Sequence, residues 1–564
     1  MANEQSENYW LRRQTLSRRR WLGGAATLGV GASALAMVGC GDDDAVTKVT
    51  PTALGGGGAG TAVASPTTEA VGKRGGELRV AMDRDPVSLD PHIEASYRTQ
   101  WAAGGAYNRV LGLTSDLSIG PELAASREQP DPTTLTLKVQ QGVKFHNVAP
   151  VNGRVLTAED IIWNLERIRT NKPEFQRRYM FETIDSMTAP DANTVILKLK
   201  QPFAPLLAYL ANPFTVVAPK ELVDANGDLR TKAIGTGPFM LSDVQKGVSY
   251  KSVRNPDYWE KNRPYLDAYT LQVVPQDASR VSAFRAKQLD IEPMKPDDVN
   301  SLKGESGLTV GESVQGGQFS LRYNTTKPPF NDVRVRRAFD LCIDRNEVIQ
   351  LTLAGAGSPM GPIAAGLTDW ALPKDELLKL PGYRPNKDQD IAEAKKLMQE
   401  AGQANTEFEY LFYTPAAQNE QVAVVVQQQL LKAGIKVKLN KQEYAAWIPL
   451  MLQKSYQITG TGSGFRDDAD EYLYALFFST ASRNDTGYNN SEIDKLLELQ
   501  RTQLDVAERK KTVLAIQKKL LAELPNSWLY TEKELEPRYN YVKGYTPSYV
   551  HNRTRQFVRA WLDK

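Results

Sequence analysis

Apolar and polar residues first alternate regularly at Glu77-Leu78-Arg79-Val80-Ala81-Met82, and that period of two predicts a strand. Leu135-Thr136-Leu137-Lys138-Val139 and Thr194-Val195-Ile196-Leu197-Lys198-Leu199 repeat the pattern. Between them, Thr157-Ala158-Glu159-Asp160 has the form of a capping box, in which a hydroxyl and a carboxyl three residues apart satisfy exposed N–H groups. The helix it opens carries Ile161, Leu165 and Ile168 on one stripe. Asp85-Pro86 and Asp90-Pro91 punctuate a loop, Asn152-Gly153 marks a turn, and Gly235-Thr236-Gly237-Pro238-Phe239 turns sharply into another strand.

The second half is more regular. A strand over Glu407–Tyr413 is followed by a helix over 418–433 that stops at Gly434. Ile435-Lys436-Val437-Lys438-Leu439 is a strand again, with Tyr456-Gln457-Ile458-Thr459 a candidate third. Strand, helix and strand at this spacing predict a parallel, right-handed unit. Open sheets of this kind bind ligands beyond the carboxyl ends of their strands, which points to the loop after Thr459. No short-period repeat is visible.

Ahead of Gly75 the chain follows other rules. Ser17-Arg18-Arg19-Arg20-Trp21-Leu22 has twin-arginine form, and an uncharged run from Trp21 to Gly39 follows. With five glycines the run is too weakly apolar for a strong spanning helix, which needs about 20 strongly apolar residues. It reads as an export signal over 1–39. Met37-Val38-Gly39-Cys40 resembles a lipobox, so Cys40 is the expected lipidation site; an uncleaved anchor helix is the other reading. Residues 40–74, rich in Gly, Thr, Ala and Asp, read as a disordered tether.

Charge then narrows the function. Of 69 Lys and Arg, five fall in residues 1–39, with two of the 66 Asp and Glu; the remaining chain holds 64 of each sign. A neutral body argues against nucleic acid as a partner. The two cysteines, Cys40 and Cys342, cannot build a disulfide framework, and Cys342 lies in an apolar stretch that predicts a buried thiol. Three histidines (92, 146 and 551) and the absence of a His-Glu-x-x-His helix or a Gly-x-Ser-x-Gly elbow argue against an enzyme and against a resident metal or cofactor.

A chain-long series of short motifs carries a family resemblance. It runs from Gly75-Gly76-Glu77-Leu78 and Ser88-Leu89-Asp90-Pro91 through Gly142-Val143-Lys144-Phe145-His146 and Leu156-Thr157-Ala158-Glu159-Asp160. Ile234-Gly235-Thr236-Gly237-Pro238-Phe239, Asn255-Pro256-Asp257-Tyr258-Trp259, Pro328-Pro329-Phe330-Asn331-Asp332-Val333-Arg334 and Gly487-Tyr488-Asn489-Asn490 continue it. In order and spacing this resembles the bacterial solute-binding proteins of family 5, which include peptide, dipeptide and nickel binders. The chain departs from the family pattern at His146-Asn147 and at Asp468-Ala469-Asp470, where the family often writes His-Asp-Gly and Asp-Pro-Asp.

The resemblance implies an α/β, two-lobed periplasmic-binding-protein-like fold (type II, cluster C) with an extra N-terminal subdomain. Mapped by motif, lobe I is 75–118, 235–320 and 532–564, the extra subdomain 119–234 and lobe II 321–531, with hinge strands near Phe319–Asn324 and Trp528–Tyr530. It implies a monomeric binding protein, held to the outer face of the cytoplasmic membrane by its lipid, that closes on a peptide or other small solute and passes it to the permease of an ABC importer.

The family's amine-binding aspartate falls in Gly464-Phe465-Arg466-Asp467-Asp468, with Asp467 the first choice and Asp468 the second. Ser96 and Tyr97 fall where lobe I faces the cleft, and Trp447 and Tyr323 are candidate walls. Each has a plainer reading: Asp467 and Asp468 as helix caps or solvated charges, Arg466 as a partner of Asp467, and Trp447 and Tyr323 as core. Oligosaccharide, with Trp447, Phe465 and Tyr472 as platforms, and nickel or haem are the alternative ligands.

Overall fold

Strand Glu77–Met82 forms where alternation predicts it, because Leu78 and Val80 turn inward under the sheet. It runs parallel to Ala268–Val273, and Ser249–Arg254 and Phe239–Gln245 complete a four-stranded sheet beyond it. The computed structural model describes residues 72–94, 96–113, 118–414, 417–464, 466–547 and 553–564. The expected export signal, Cys40, most of the tether and Phe465 lie outside them. Among the described residues no helix is long and apolar enough to cross a membrane.

A second sheet is antiparallel throughout, in the order Ala124–Asp131, Thr134–Val139, Thr194–Leu199, Ile184–Asp191. Its two hairpins share a pattern sixty residues apart that the sequence reading passed over. Pro130-Asp131-x-x-Thr134 and Pro190-Asp191-x-x-Thr194 make the same turn, and Asp131 and Asp191 accept from the N–H two residues on. Lys138 donates to Thr194 and Lys198 to Thr134, so the centre of the sheet has a local two-fold. Against it packs helix Ala158–Ile168. Its capping box is formed, and Thr157 N–H donates to the Asp160 carboxylate at 2.8 Å.

The third sheet is the largest. Its order is Leu308–Val314, Asn526–Tyr539, Gln318–Tyr323, Ile458–Ser463, Glu407–Thr414, Lys436–Glu443, with Gly357–Pro359 paired to Asn526–Tyr539. Glu407–Thr414 is parallel to both Lys436–Glu443 and Ile458–Ser463, as the strand–helix–strand pattern predicts. Helix Ala417–Lys432 covers the sheet, and Gly434 ends it with φ of +80°, a conformation that favours glycine. Strand Ile458–Ser463 outruns its expected end at Thr459, so the loop opens at Gly464. Glycine permits this extension: a Cβ on Gly460 would overlap the Tyr410 hydroxyl.

The protein has two lobes, and strand Asn526–Tyr539 joins them. Its first half pairs with Gln318–Tyr323 and its second with Leu308–Val314, and Arg538 bridges to Ile291, which bridges to Val80 of the first sheet. Where the chain crosses, Thr531 Oγ lies 2.5 Å from the Gln315 carbonyl and 2.8 Å from that of Gly317. Each lobe keeps its own apolar core, one around Phe284, Leu289 and Tyr539, the other around Phe319, Tyr323, Phe339, Phe408 and Tyr410.

Candidate functional site

The loop that opens at Gly464 lies against the first lobe. A Cβ on Gly464 would overlap the hydroxyl of Tyr97, the first residue of helix Tyr97–Ala103. Ser96 is that helix's N-cap, accepting from Arg98 N–H at 3.2 Å, while its own N–H donates to Glu94 at 3.1 Å. Tyr97 is therefore a contact between lobes, and Ser96 positions it.

Three acidic residues after Gly464 have separate fates. Asp468 is the N-cap of helix Ala469–Phe477, accepting from Asp470 N–H at 2.9 Å, and it pairs with fully buried Arg509. Arg509 also donates to Gln500 and lies 4.6 Å from the Trp370 ring centroid. Asp468 is thus an anchor inside its own lobe. Asp470 accepts from Tyr209 at 2.5 Å and from Gln500, and lies 3.3 Å from Arg501. Tyr209 comes from segment Leu206–Leu210, in the stretch read above as the extra subdomain, so Asp470 ties that stretch to its own helix.

Asp467 differs from both. It is 2 % exposed and, among the described residues, accepts a 3.3 Å bond from Asn212 at Oδ2 while its buried Oδ1 has no hydrogen-bond partner. Its backbone N–H donates to Glu471 at 3.3 Å, and Glu471 accepts from Tyr179 at 3.2 Å. Burial, then the Glu471 carboxyl beside it, holds the Asp467 carboxyl well above the usual range. No ion pair joins it to Arg466 among the described contacts. Arg466 is buried too, its guanidinium 5.5 Å from the Tyr472 ring centroid.

The remaining candidates are buried in apolar clusters. Trp447 is buried with Leu411 and Tyr456, and its Nε1 donates to Thr459 at 2.9 Å. Its ring continues a cluster with Tyr413, at 4.8 Å, and half-exposed Tyr444, at 5.9 Å. Tyr323 is core: fully buried, stacked on Phe330 at 5.2 Å and hydrogen-bonded to Ser527. In a strand buried on both faces, its ring cannot reach a cleft. Cys342 is buried, and burial pushes its thiol up to about 12.

The sequence reading missed the residues that the stretch 119–234 brings to this loop, Tyr179, Tyr209 and Asn212, and Arg483, which lines a cavity with Tyr179. Arg177 donates to the Glu94 carbonyl at 3.2 Å and lies 3.9 Å from the Phe214 ring centroid. A cavity of about 150 Å³ adjoins, lined by Tyr179, Glu182, Tyr474, Phe478 and Arg483. The only signal was the density of Arg and aromatic side chains in Phe175-Gln176-Arg177-Arg178-Tyr179-Met180-Phe181.

Comparison with known proteins gives the family and the fold. The profile of the bacterial extracellular solute-binding proteins, family 5 Middle, matches residues 118–484. The chain is 28 % identical to the probable D,D-dipeptide-binding periplasmic protein DdpA of Escherichia coli, over 83 % of this chain and 91 % of that one. DppA of Helicobacter pylori, solved in complex with the peptide STSA, superposes with a TM-score of 0.77 at 25 % identity, covering 87 % of this chain and 99 % of that one. AgaA of A. tumefaciens, solved with agropinic acid, gives a TM-score of 0.73 at 25 % identity, with 87 % and 99 % covered.

Proposed function

The chain belongs to family 5 of the bacterial extracellular solute-binding proteins, and from that membership we propose that it captures short peptides between its lobes and delivers them to the permease of an ABC importer. The observation that carries the peptide reading is Asp467. A buried carboxyl with one oxygen unsatisfied and, among the described residues, no ion pair to an arginine suits a ligand ammonium. Ligand that touches both lobes favours the closed state by its differential affinity for it.

The same proposal places the protein outside the cytoplasmic membrane, exported by the twin-arginine signal and tethered through lipid on Cys40, as a monomer that does no catalysis. An acyl anchor and a flexible tether would hold the lobes near the permease at high effective concentration. Cys40→Ala would then move the protein from the membrane to the soluble fraction.

Mass spectrometry of ligand released from the purified protein tests the main claim. A ladder of short peptides is the expected result. A released sugar, sugar acid or metal chelate would overturn the peptide assignment and leave the transport role. The second reading, an aromatic-stacked sugar or sugar acid, draws on the Tyr413–Trp447–Tyr444 cluster and on the agropinic acid bound by AgaA.

A further inference from the structure

One face of the strands near the crossing carries polar side chains that the protein leaves unused. Gln318 and Ser320 lie two residues apart in strand Gln318–Tyr323, so they share a face. Register sets Ser320 opposite Trp528 of strand Asn526–Tyr539, and Gln318 opposite Ser463, the last residue of strand Ile458–Ser463. Directly paired residues point to the same face with Cβ atoms about 5 Å apart, so the three side chains form one group. Gln318 is 3 % exposed, Ser320 1 % and Trp528 0 %. Among the described residues, Gln318 Nε2 and Oε1, Ser320 Oγ and Trp528 Nε1 have no hydrogen-bond partner.

Leaving a buried polar group unpaired costs about 1–3 kcal/mol, so native structures rarely do it. Neighbours on the same face obey that rule. Arg322 pairs with Asp485, Thr459 accepts from Trp447, and Thr461 donates to the Gly462 carbonyl at 3.1 Å. The exception is local and lies beside the candidate site. Ser463 leads directly into the loop that opens at Gly464 and carries Asp467, so Gln318 stands at the carboxyl end of the parallel unit, where open sheets bind ligands. Helix Ala469–Phe477, which follows that loop, lies over this face: Tyr472 donates to the Gly316 carbonyl at 2.6 Å, and the Phe477 ring centroid is 6.0 Å from that of Trp528.

We propose that Gln318, Ser320 and Trp528 form a subsite for a carboxamide side chain of the ligand, so that the protein prefers peptides carrying glutamine at one position over those carrying methionine there. This rests on the peptide reading for the class of ligand, and on the unused donors and acceptors for the side chain. Those groups are neutral and of both kinds: an amide, a hydroxyl and an indole N–H. A carboxamide answers both, its carbonyl accepting from Trp528 Nε1 or Gln318 Nε2 and its N–H groups donating to Gln318 Oε1 or Ser320 Oγ. An ionised side chain would enter without a counter-charge, because Arg322 is already held by Asp485, and an apolar one would leave the buried atoms unsatisfied.

The test is isothermal titration of the full chain with three pairs of tripeptides, each pair setting Gln against Met at the first, second or third position with alanine elsewhere. Met matches Gln in length and removes both hydrogen-bonding groups. A preference of about tenfold for Gln at one position is expected, the effect of leaving one buried polar group unpaired, and it falls below about threefold in at least one of Gln318→Met and Ser320→Ala. Thermal unfolding of each variant verifies the fold, and Ser320→Ala, the smaller change, carries the test if Gln318→Met does not fold. No preference for Gln in any pair, or a preference that survives both variants, overturns the subsite and leaves peptide binding intact; the buried groups then hold water only. If no tripeptide binds, maltotriose, neutral and rich in hydroxyl groups, is the next probe. Maltotriose binding that is lost in Gln318→Met or Ser320→Ala keeps these residues as a polar subsite and fails the peptide reading; binding that survives both variants, or no binding, fails both.

Discussion

Replacing Asp467 by Asn separates a ligand-binding carboxylate from a structural one. The side chain keeps its shape and loses its charge. If a ligand ammonium sits on Asp467, removing one partner of a buried charge pair costs about 2–5 kcal/mol. Near the lower-middle of that range, about 3 kcal/mol, affinity for tri-alanine falls roughly 150-fold. The free protein responds the other way. Asp467 has an unsatisfied oxygen and a raised pKa, so between its ordinary value of 3.8 and the raised one the folded chain holds a proton that the unfolded chain has released. Its contribution to stability is therefore greatest in acid and declines as pH rises through that window. Asn removes this dependence and should stabilise the ligand-free protein at pH 8 by about 1–2 kcal/mol, with little change at pH 4. At roughly 2 cal/mol/K of unfolding entropy per residue, that is a gain of about 1–2 °C in Tm. Titration with tri-alanine and with its N-acetyl form, alongside thermal unfolding at both pH values, reads all of this. Wild type should prefer the free amine, and Asp467→Asn should not. If the variant binds tri-alanine within about threefold of wild type, Asp467 is not the ammonium site and the argument from its unsatisfied oxygen fails.

Other outcomes follow from the same contacts. Gly464→Ala sets a methyl group against the Tyr97 hydroxyl, so closure should be opposed by about 1–3 kcal/mol, read as weaker binding with unchanged thermal stability of the open protein; adding Tyr97→Ala should restore affinity. Arg509→Met strands buried Asp468 and should cost about 3–5 kcal/mol in denaturant unfolding, whereas loss of binding in a fully folded variant would reassign Asp468 to the ligand. His92 and His146 are both held neutral, burial bringing each down to about 4. Their stabilising contribution is complete above about 6.5 and is lost as pH falls towards 4, so Tm should drop across that window with proton uptake on unfolding; a His146→Asn variant with an unchanged slope would contradict this.

The sequence by itself determined what depends on neighbours along the chain. Alternation placed Glu77–Met82 and Thr194–Leu199 to the residue, the capping box placed the start of helix Ala158–Ile168, and Gly434 marked the end of Ala417–Lys432. Pattern, caps and left-handed glycines are local devices, and a strand buried on one face shows its period whatever it packs against. The loop carrying Arg466, Asp467 and Asp468 was legible too, because it follows a strand of a parallel unit. How each of its acids is partnered was not. Asp468 is taken by Arg509, forty-one residues on, Asp470 by Tyr209, over two hundred and fifty residues back, and Asp467 keeps an oxygen without a hydrogen bond among the described residues. Likewise Tyr323 and Trp447 look alike as aromatic residues, and only the tertiary structure shows that both are buried, one in the large core of the sheet and the other in a small core with Leu411 and Tyr456. Tyr179 and Arg483 line one cavity from stretches some three hundred residues apart and have no spacing to recognise. A binding site between lobes is made of long-range pairings, and those are fixed by the tertiary fold rather than by the residues on either side.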